Sequence, residues 1–154
     1  MTTLLDADVP TVDAMHALGR RLAEAMRPGD LVLLVGPLGA GKTTLARGIG
    51  VGLGVRGEVT SPTFVIAREH KGPLPLVHVD AYRLGSADEL ADLDLTTGAD
   101  EGVMVVEWGA GIAEGLAESR LVVTIVRRDD DEVRHVAVEG HGPRWADVPP
   151  FGDA

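Results

Sequence analysis

The sequence predicts an α/β fold, a three-layer sandwich in which a mixed, mainly parallel central sheet carries helices on both faces. Three observations predict it. Residues 31–35 (Leu-Val-Leu-Leu-Val) and 103–106 (Val-Met-Val-Val) are apolar without alternation, as expected of strands buried on both sides. Segments of helical spacing stand on either side of the first run, so strand and helix alternate along the chain. A length of 154 residues with 45% hydrophobic residues fits one packed domain and leaves no room for a second of ordinary size.

Thr11 precedes apolar residues at Met15, Leu18, Leu22 and Met26, a single amphipathic stripe that predicts a helix over 12–26. Pro28-Gly29-Asp30 breaks it before the strand at 31–35. A glycine-bearing loop spans 36–41, and 43–53 reads as the next helix, weakened in its last turn by Gly48, Gly50 and Gly52. After a loop at 54–63, strands at 64–68 and 74–80 flank the turn signal Lys71-Gly72-Pro73 and predict an antiparallel pair. Ser86 with Glu89 forms a capping-box pattern for a short helix through Leu93. The buried strand 103–106 ends at Glu107, and a short helix is expected at 112–117. Strands at 121–126 and 133–138 flank the charged tip 127–132, an antiparallel hairpin placed at one edge of the sheet. From Gly140 on, no period survives, and the stretch reads as a surface-draped or mobile tail.

Composition excludes several functions. The formal charge of −10 opposes non-specific binding to a phosphate backbone, and 3% aromatic residues argue against a base-stacking platform. With no cysteine there is no thiolate nucleophile, thiolate zinc site or iron–sulfur cluster. The chain also lacks asparagine and glutamine, which removes the carboxamide that positions water in Ras-type sites. No run approaches the length of a membrane span and the first nine residues do not form a secretion signal, so the cytoplasm is expected.

The chemistry concentrates in Gly36-Pro37-Leu38-Gly39-Ala40-Gly41-Lys42-Thr43, which matches the phosphate-binding pattern G-x-x-x-x-G-K-[ST] between a predicted strand and a predicted helix. About 0.003 chance matches are expected from this composition, so coincidence is a poor explanation. The glycines let backbone N–H groups turn inward around phosphates and the helix start adds positive partial charge. Lys42 neutralises terminal phosphate oxygens, the Thr43 hydroxyl is placed for magnesium, and Thr44 can reach an inner phosphate. Lys42 is one of two lysines in the chain, at a place where a forked guanidinium would not fit.

Two apolar runs end in acids, at Asp80 and Glu107, and strand C-termini line the ligand crevice of open α/β sheets. Either acid is suited to hold magnesium while the other orients attacking water; the residues alone do not apportion these roles. His78 alternates onto the face of Asp80, within reach of a hydrogen bond to it, and reads equally well as a packing residue. Arg83 is either a phosphate or partner anchor or a solvated surface charge. Thr60-Ser61-Pro62-Thr63 lies where nucleotide switches often sit, and Trp108 follows the second acid.

Four blocks in this order resemble the TsaE (YjeE) family, small P-loop ATPases of bacterial threonylcarbamoyladenosine tRNA modification. They are the loop 36–44, Ser61-Pro62-Thr63-Phe64, His78-x-Asp80-x-Tyr82-Arg83 and Glu107-Trp108. The sequence departs from the family pattern at Pro37, Ala81 and Gly109; Pro37 removes one backbone donor from the loop. The resemblance implies a three-layer P-loop NTPase fold over residues 1–140, followed by a Gly/Pro-rich tail at 141–154. It also implies that Lys42, Thr43 and Thr44 bind ATP within the loop from Gly36, that Thr43 and Glu107 hold Mg2+, and that Lys42, Asp80 and Glu107 form the catalytic set. Thr60, Ser61, Thr63 and Asp80 would be switch residues.

By the same resemblance, the partners would be the TsaD transferase, which modifies adenosine 37 of tRNA, and the TsaB scaffold subunit. ATP hydrolysis would gate or reset that complex, slowly in isolation and faster with partners. The tRNA would be met only through the complex, and the isolated chain would be a monomer or weak oligomer. The alternatives are a small-molecule or nucleoside monophosphate kinase and a nucleotide-dependent adaptor with little turnover. A GTPase is disfavoured because the guanine-reading N-K-x-D cannot be written without asparagine.

Overall fold

In the computed structural model, residues 1–37, 40–56, 67–80, 101–107, 118–127 and 133–151 are described. Strand β1 (Thr2–Val9) leads into helix α1 (Val12–Glu24), where the Thr11 hydroxyl accepts from the Ala14 N–H at 3.0 Å and Asp13 sits in the first turn. The apolar stripe Met15, Leu18 and Leu22 is buried as its spacing predicted. The helix ends at Glu24 rather than Met26, because the chain turns at Gly29, whose φ is 93°, while the Asp30 carboxylate accepts from the Arg27 N–H at 2.7 Å. Strand β2 (Leu31–Val35) has the expected bounds, and helix α2 (Lys42–Leu53) begins one residue earlier than the sequence suggested.

Strands β3 (Ala67–His70) and β4 (Leu76–Asp80) form the expected antiparallel pair, followed by β5 (Val103–Glu107) and the hairpin β6 (Arg120–Arg127) and β7 (Arg134–His141). A short helix, α3 (Pro143–Ala146), follows. The expected helices at 86–93 and 112–117, residues 64–66 of the first hairpin and the tip 128–132 lie outside the described residues. No described helix is long and apolar enough to cross a membrane.

The sheet is mixed, with strand order β1-β7-β6-β2-β5-β4-β3. The expectation of a mainly parallel sheet is corrected: β6–β2, β2–β5 and β5–β4 are parallel, whereas β1–β7, β7–β6 and β4–β3 are antiparallel. Nor is the β6–β7 hairpin the edge. β6 runs parallel to β2 inside the sheet, and β7 is covered by β1, which supplies the edge strand that the sequence reading did not include. Its signal was period two: Leu5, Ala7 and Val9 face inward between Asp6 and Asp8.

Helices α1 and α2 pack together over one face of the sheet, burying Val32 and Leu34 of β2, Val103 and Val105 of β5, and Leu121 and Val123 of β6 in a common core. Leu31, Leu33, Val77, Val79 and Val106, at the alternate positions, are also buried, which explains the unbroken apolar runs. The glycines that weaken α2 as an isolated helix are what let α1 approach it. A Cβ on Gly48 would lie 2.1 Å from the His16 carbonyl oxygen, one on Gly52 2.5 Å from the Ala23 Cβ, and one on Gly19 2.3 Å from the Leu45 carbonyl oxygen.

The C-terminal stretch, expected to be without regular structure, carries the end of β7 and the helix α3 and is anchored to the body over its described part. Trp145 is 1% exposed, and the Phe151 N–H donates to the Leu4 carbonyl at 2.8 Å. Arg144 donates from Nε to Asp30 Oδ1 at 3.1 Å and from a terminal nitrogen to the Ala25 carbonyl at 2.6 Å, while its guanidinium lies 4.1 Å from the Trp145 ring centre. The cation–π contact and the partly buried ion pair fasten the chain end to the turn between α1 and β2.

Replacing Gly48 by Ala is expected to destabilise the protein by up to about 2 kcal/mol, an overpacking cost of about 1–3 kcal/mol offset by a gain of about 1 kcal/mol in helix propensity. Urea unfolding with an unchanged m-value would establish it. A pH-dependent contribution comes from β1–β7, where the side-chain hydrogen bond to Asp8 and the contact with Asp6 raise the pKa of His135 above its ordinary value. The stabilisation is complete below the unfolded pKa of about 6.5 and is lost as pH rises through the raised folded value. His135→Ala should therefore lower the melting temperature at pH 6, by no more than about 3 °C at so exposed a site, and leave it unchanged at pH 9.

Candidate functional site

The parallel register sets the site. Leu34 of β2 pairs with Glu107 of β5, and Glu107 pairs with Asp80 of β4, so three neighbouring strands end together with the glycine-rich loop at one of them. Strand alternation turns Leu76, His78 and Asp80 to the side of Val103, Val105 and Glu107, which is also the side covered by α2. The start of α2 and both strand-end acids therefore meet over one crevice.

Gly41 caps α2 with φ 108°, a left-handed conformation open to glycine and strained for other residues. Lys42 follows at once and is 5% exposed. Its ammonium donates to the Gly36 carbonyl at 2.6 Å and to the Pro37 carbonyl at 3.0 Å. Burial is the main influence on this amine and lowers its pKa, while the nearby carboxylates of Glu107 and Asp80 act in the opposite direction. Pro37 contributes no N–H but supplies one of the two carbonyls that hold the lysine.

His78 is fully buried and its Nε2 lies 2.6 Å from Glu107 Oε2. A carboxylate can only accept, so Nε2 carries the donated proton. Of the two readings of His78, a bond to Asp80 or a packing role, the structure shows a bond, made instead to Glu107: alternation puts both acids on the histidine's face, and the neighbouring strand brings Glu107 to the ring.

A cavity of about 220 Å³ opens beside the loop, lined by Ala40, Gly41 and Thr44 together with Thr11, Val12, Met15 and Arg134. None of the last four was a candidate site residue in the sequence. They come from the start of α1 and from β7, and no motif spacing links them to the loop. Thr43 is half-buried beside Lys42. Leu38 and Gly39 of the loop, the switch candidates Thr60, Ser61 and Thr63, and Tyr82, Arg83 and Trp108 lie outside the described residues. Among the described residues, no cluster of three or more His, Asp or Glu side chains could by itself hold a metal ion.

A strand, a glycine-bearing turn and a helix whose first residue is a buried lysine, with two acids at the ends of the neighbouring strands, define a mixed α/β protein whose loop and helix start gather at the carboxyl ends of its parallel strands. The comparisons narrow this class. The family model described as "Threonylcarbamoyl adenosine biosynthesis protein TsaE" matches residues 9–136. The chain is 62% identical over 140 residues to the tRNA threonylcarbamoyladenosine biosynthesis protein TsaE of Streptomyces coelicolor, covering 86% of this chain and 94% of that one. It is 43% identical over 135 residues to the protein of the same name from Bacillus subtilis, covering 84% and 81%. Among solved structures it is similar to Bacillus subtilis YdiB, with a TM-score of 0.74 and 35% identity over 92% of this chain and 88% of that chain. The chain belongs to the TsaE family.

Proposed function

We propose that this protein binds magnesium-ATP in the loop and hydrolyses it to gate or reset the TsaD–TsaB transferase complex during threonylcarbamoyladenosine formation on tRNA. The observation that carries the reading is the buried Lys42 ammonium, held by two loop carbonyls and facing Glu107 and Asp80. Family membership supports the role in threonylcarbamoyladenosine biosynthesis. The finer fold reading, a three-layer P-loop NTPase, belongs to the same proposal and is supported by the burial of both faces of β2, β4 and β5.

In this reading the loop amides and Lys42 bind the terminal phosphates, and the nucleoside lies toward the cavity between the loop, Thr11 and Arg134. The donor set fits magnesium. Thr43 and Glu107 offer hard oxygens, the ligand type magnesium takes beside water and phosphate. Bound there, magnesium would neutralise charge on the transferred phosphoryl group. Asp80 orients the attacking water, a task for which this chain has no glutamine. Thr60, Ser61 and Thr63 are proposed as switch residues.

The negative charge of the chain suits an ATPase that meets tRNA only through its partners, TsaD and TsaB, in the cytoplasm. Calorimetry on the isolated chain should show magnesium-ATP binding that Lys42→Ala abolishes. Asp80→Ala should retain binding while turnover falls by about 100-fold or more, the scale of a lost general base. Wild-type hydrolysis should be slow alone and accelerate when TsaD and TsaB are added. Equal turnover with and without them would defeat the gating role, and a phosphorylated acceptor would mark a kinase.

A further inference from the structure

Between Leu76 and Asp80, the α2 side of β4 is otherwise apolar where it meets Val103 and Val105, and strand alternation calls for a hydrocarbon at position 78. The chain places an imidazole there. It is fully buried, its Nδ1 has no hydrogen-bond partner among the described residues, and its Nε2 makes the 2.6 Å bond to Glu107 Oε2. Leaving a ring nitrogen unpaired in the core is unfavourable, and a leucine would avoid it. Packing therefore does not account for the histidine, whereas its bond to Glu107 does.

That bond has a geometric effect. His78 is fixed in the middle of a strand with parallel β5 beside it, so the donor does not move. By engaging Oε2, it restricts rotation of the Glu107 carboxylate and leaves Oε1 unengaged by the imidazole. Donors behind a ligating group commonly act this way, orienting it before the cation arrives.

We propose that His78 is a positioning residue that holds the Glu107 carboxylate in one orientation for the divalent cation of a bound nucleotide. The proposal rests on the magnesium-nucleotide reading above and adds a role for a residue that does not itself touch nucleotide or metal.

The test uses the full chain, ADP and Mn2+ as the probes, with free Mn2+ read by electron paramagnetic resonance and ADP affinity in chelator read by calorimetry. His78→Leu is expected to weaken Mn2+ binding to the ADP complex by about 10- to 100-fold, while metal-free ADP affinity stays within about twofold. His78→Gln, whose amide can donate to Glu107, should recover most of the loss, and His78→Leu should add nothing in a Glu107→Ala background. Undiminished Mn2+ affinity in His78→Leu would overturn the proposal, as would an equal loss of metal-free ADP binding or a His78→Gln variant as weak as His78→Leu. A measurement on the wild-type chain needs no variant to fold: the 15N spectrum of His78 should show the Nε2–H form retained when Mg2+ and ADP bind, and its loss would also overturn the role. If the wild-type chain bound no ADP with or without Mn2+, the nucleotide reading would itself fail; ADP binding with undiminished Mn2+ affinity in His78→Leu would defeat the role of His78 alone.

Discussion

An ammonium group buried beneath a loop is the constraint on which the rest of this site depends. Removing a cation from water costs several kcal/mol, and the protein offsets that with the Gly36 and Pro37 carbonyls and with two acids across the crevice. The carbonyls are available because Gly41 takes a left-handed conformation that starts α2 directly at Lys42. The acids are near because β2, β5 and β4 are parallel, neighbouring and in register at their carboxyl ends. Loop, helix start and strand register are three parts of one electrostatic solution.

The same electrostatic arrangement organises the core beneath it. Glu107 could not be buried at the end of β5 without a donor, and His78 supplies one from the adjacent strand. Over that face, α2 must lie close enough for its first turn to reach the acids while α1 packs beside it on the same core. Gly19, Gly48 and Gly52 make that approach possible, so residues that disfavour an isolated helix favour this pair of helices.

Away from the crevice, the two chain ends complete the body. β1 protects β7 from being an open edge, with Asp6 and Asp8 on its solvent side gripping His135. The segment after β7 returns across Leu4 to bury Trp145 and to anchor Arg144 on Asp30. Asp30 thereby fixes both the turn that launches β2 and the end of the chain.

What the sequence by itself determined was local. The phosphate-loop pattern, the apolar runs of β2 and β5, the stripe of α1 and the acids ending β4 and β5 were legible because each is written in consecutive residues or at a fixed period. The glycines of α2 were legible as residues but not as a packing device, since the partner that needs them lies on another helix. The partner of His78, the lining contributed by Thr11 and Arg134, the edge position of β1 and the burial of Trp145 were decided by tertiary structure alone. Each depends on which strands become neighbours and in what register, and that is set by long-range pairing and shared burial, which no local spacing encodes.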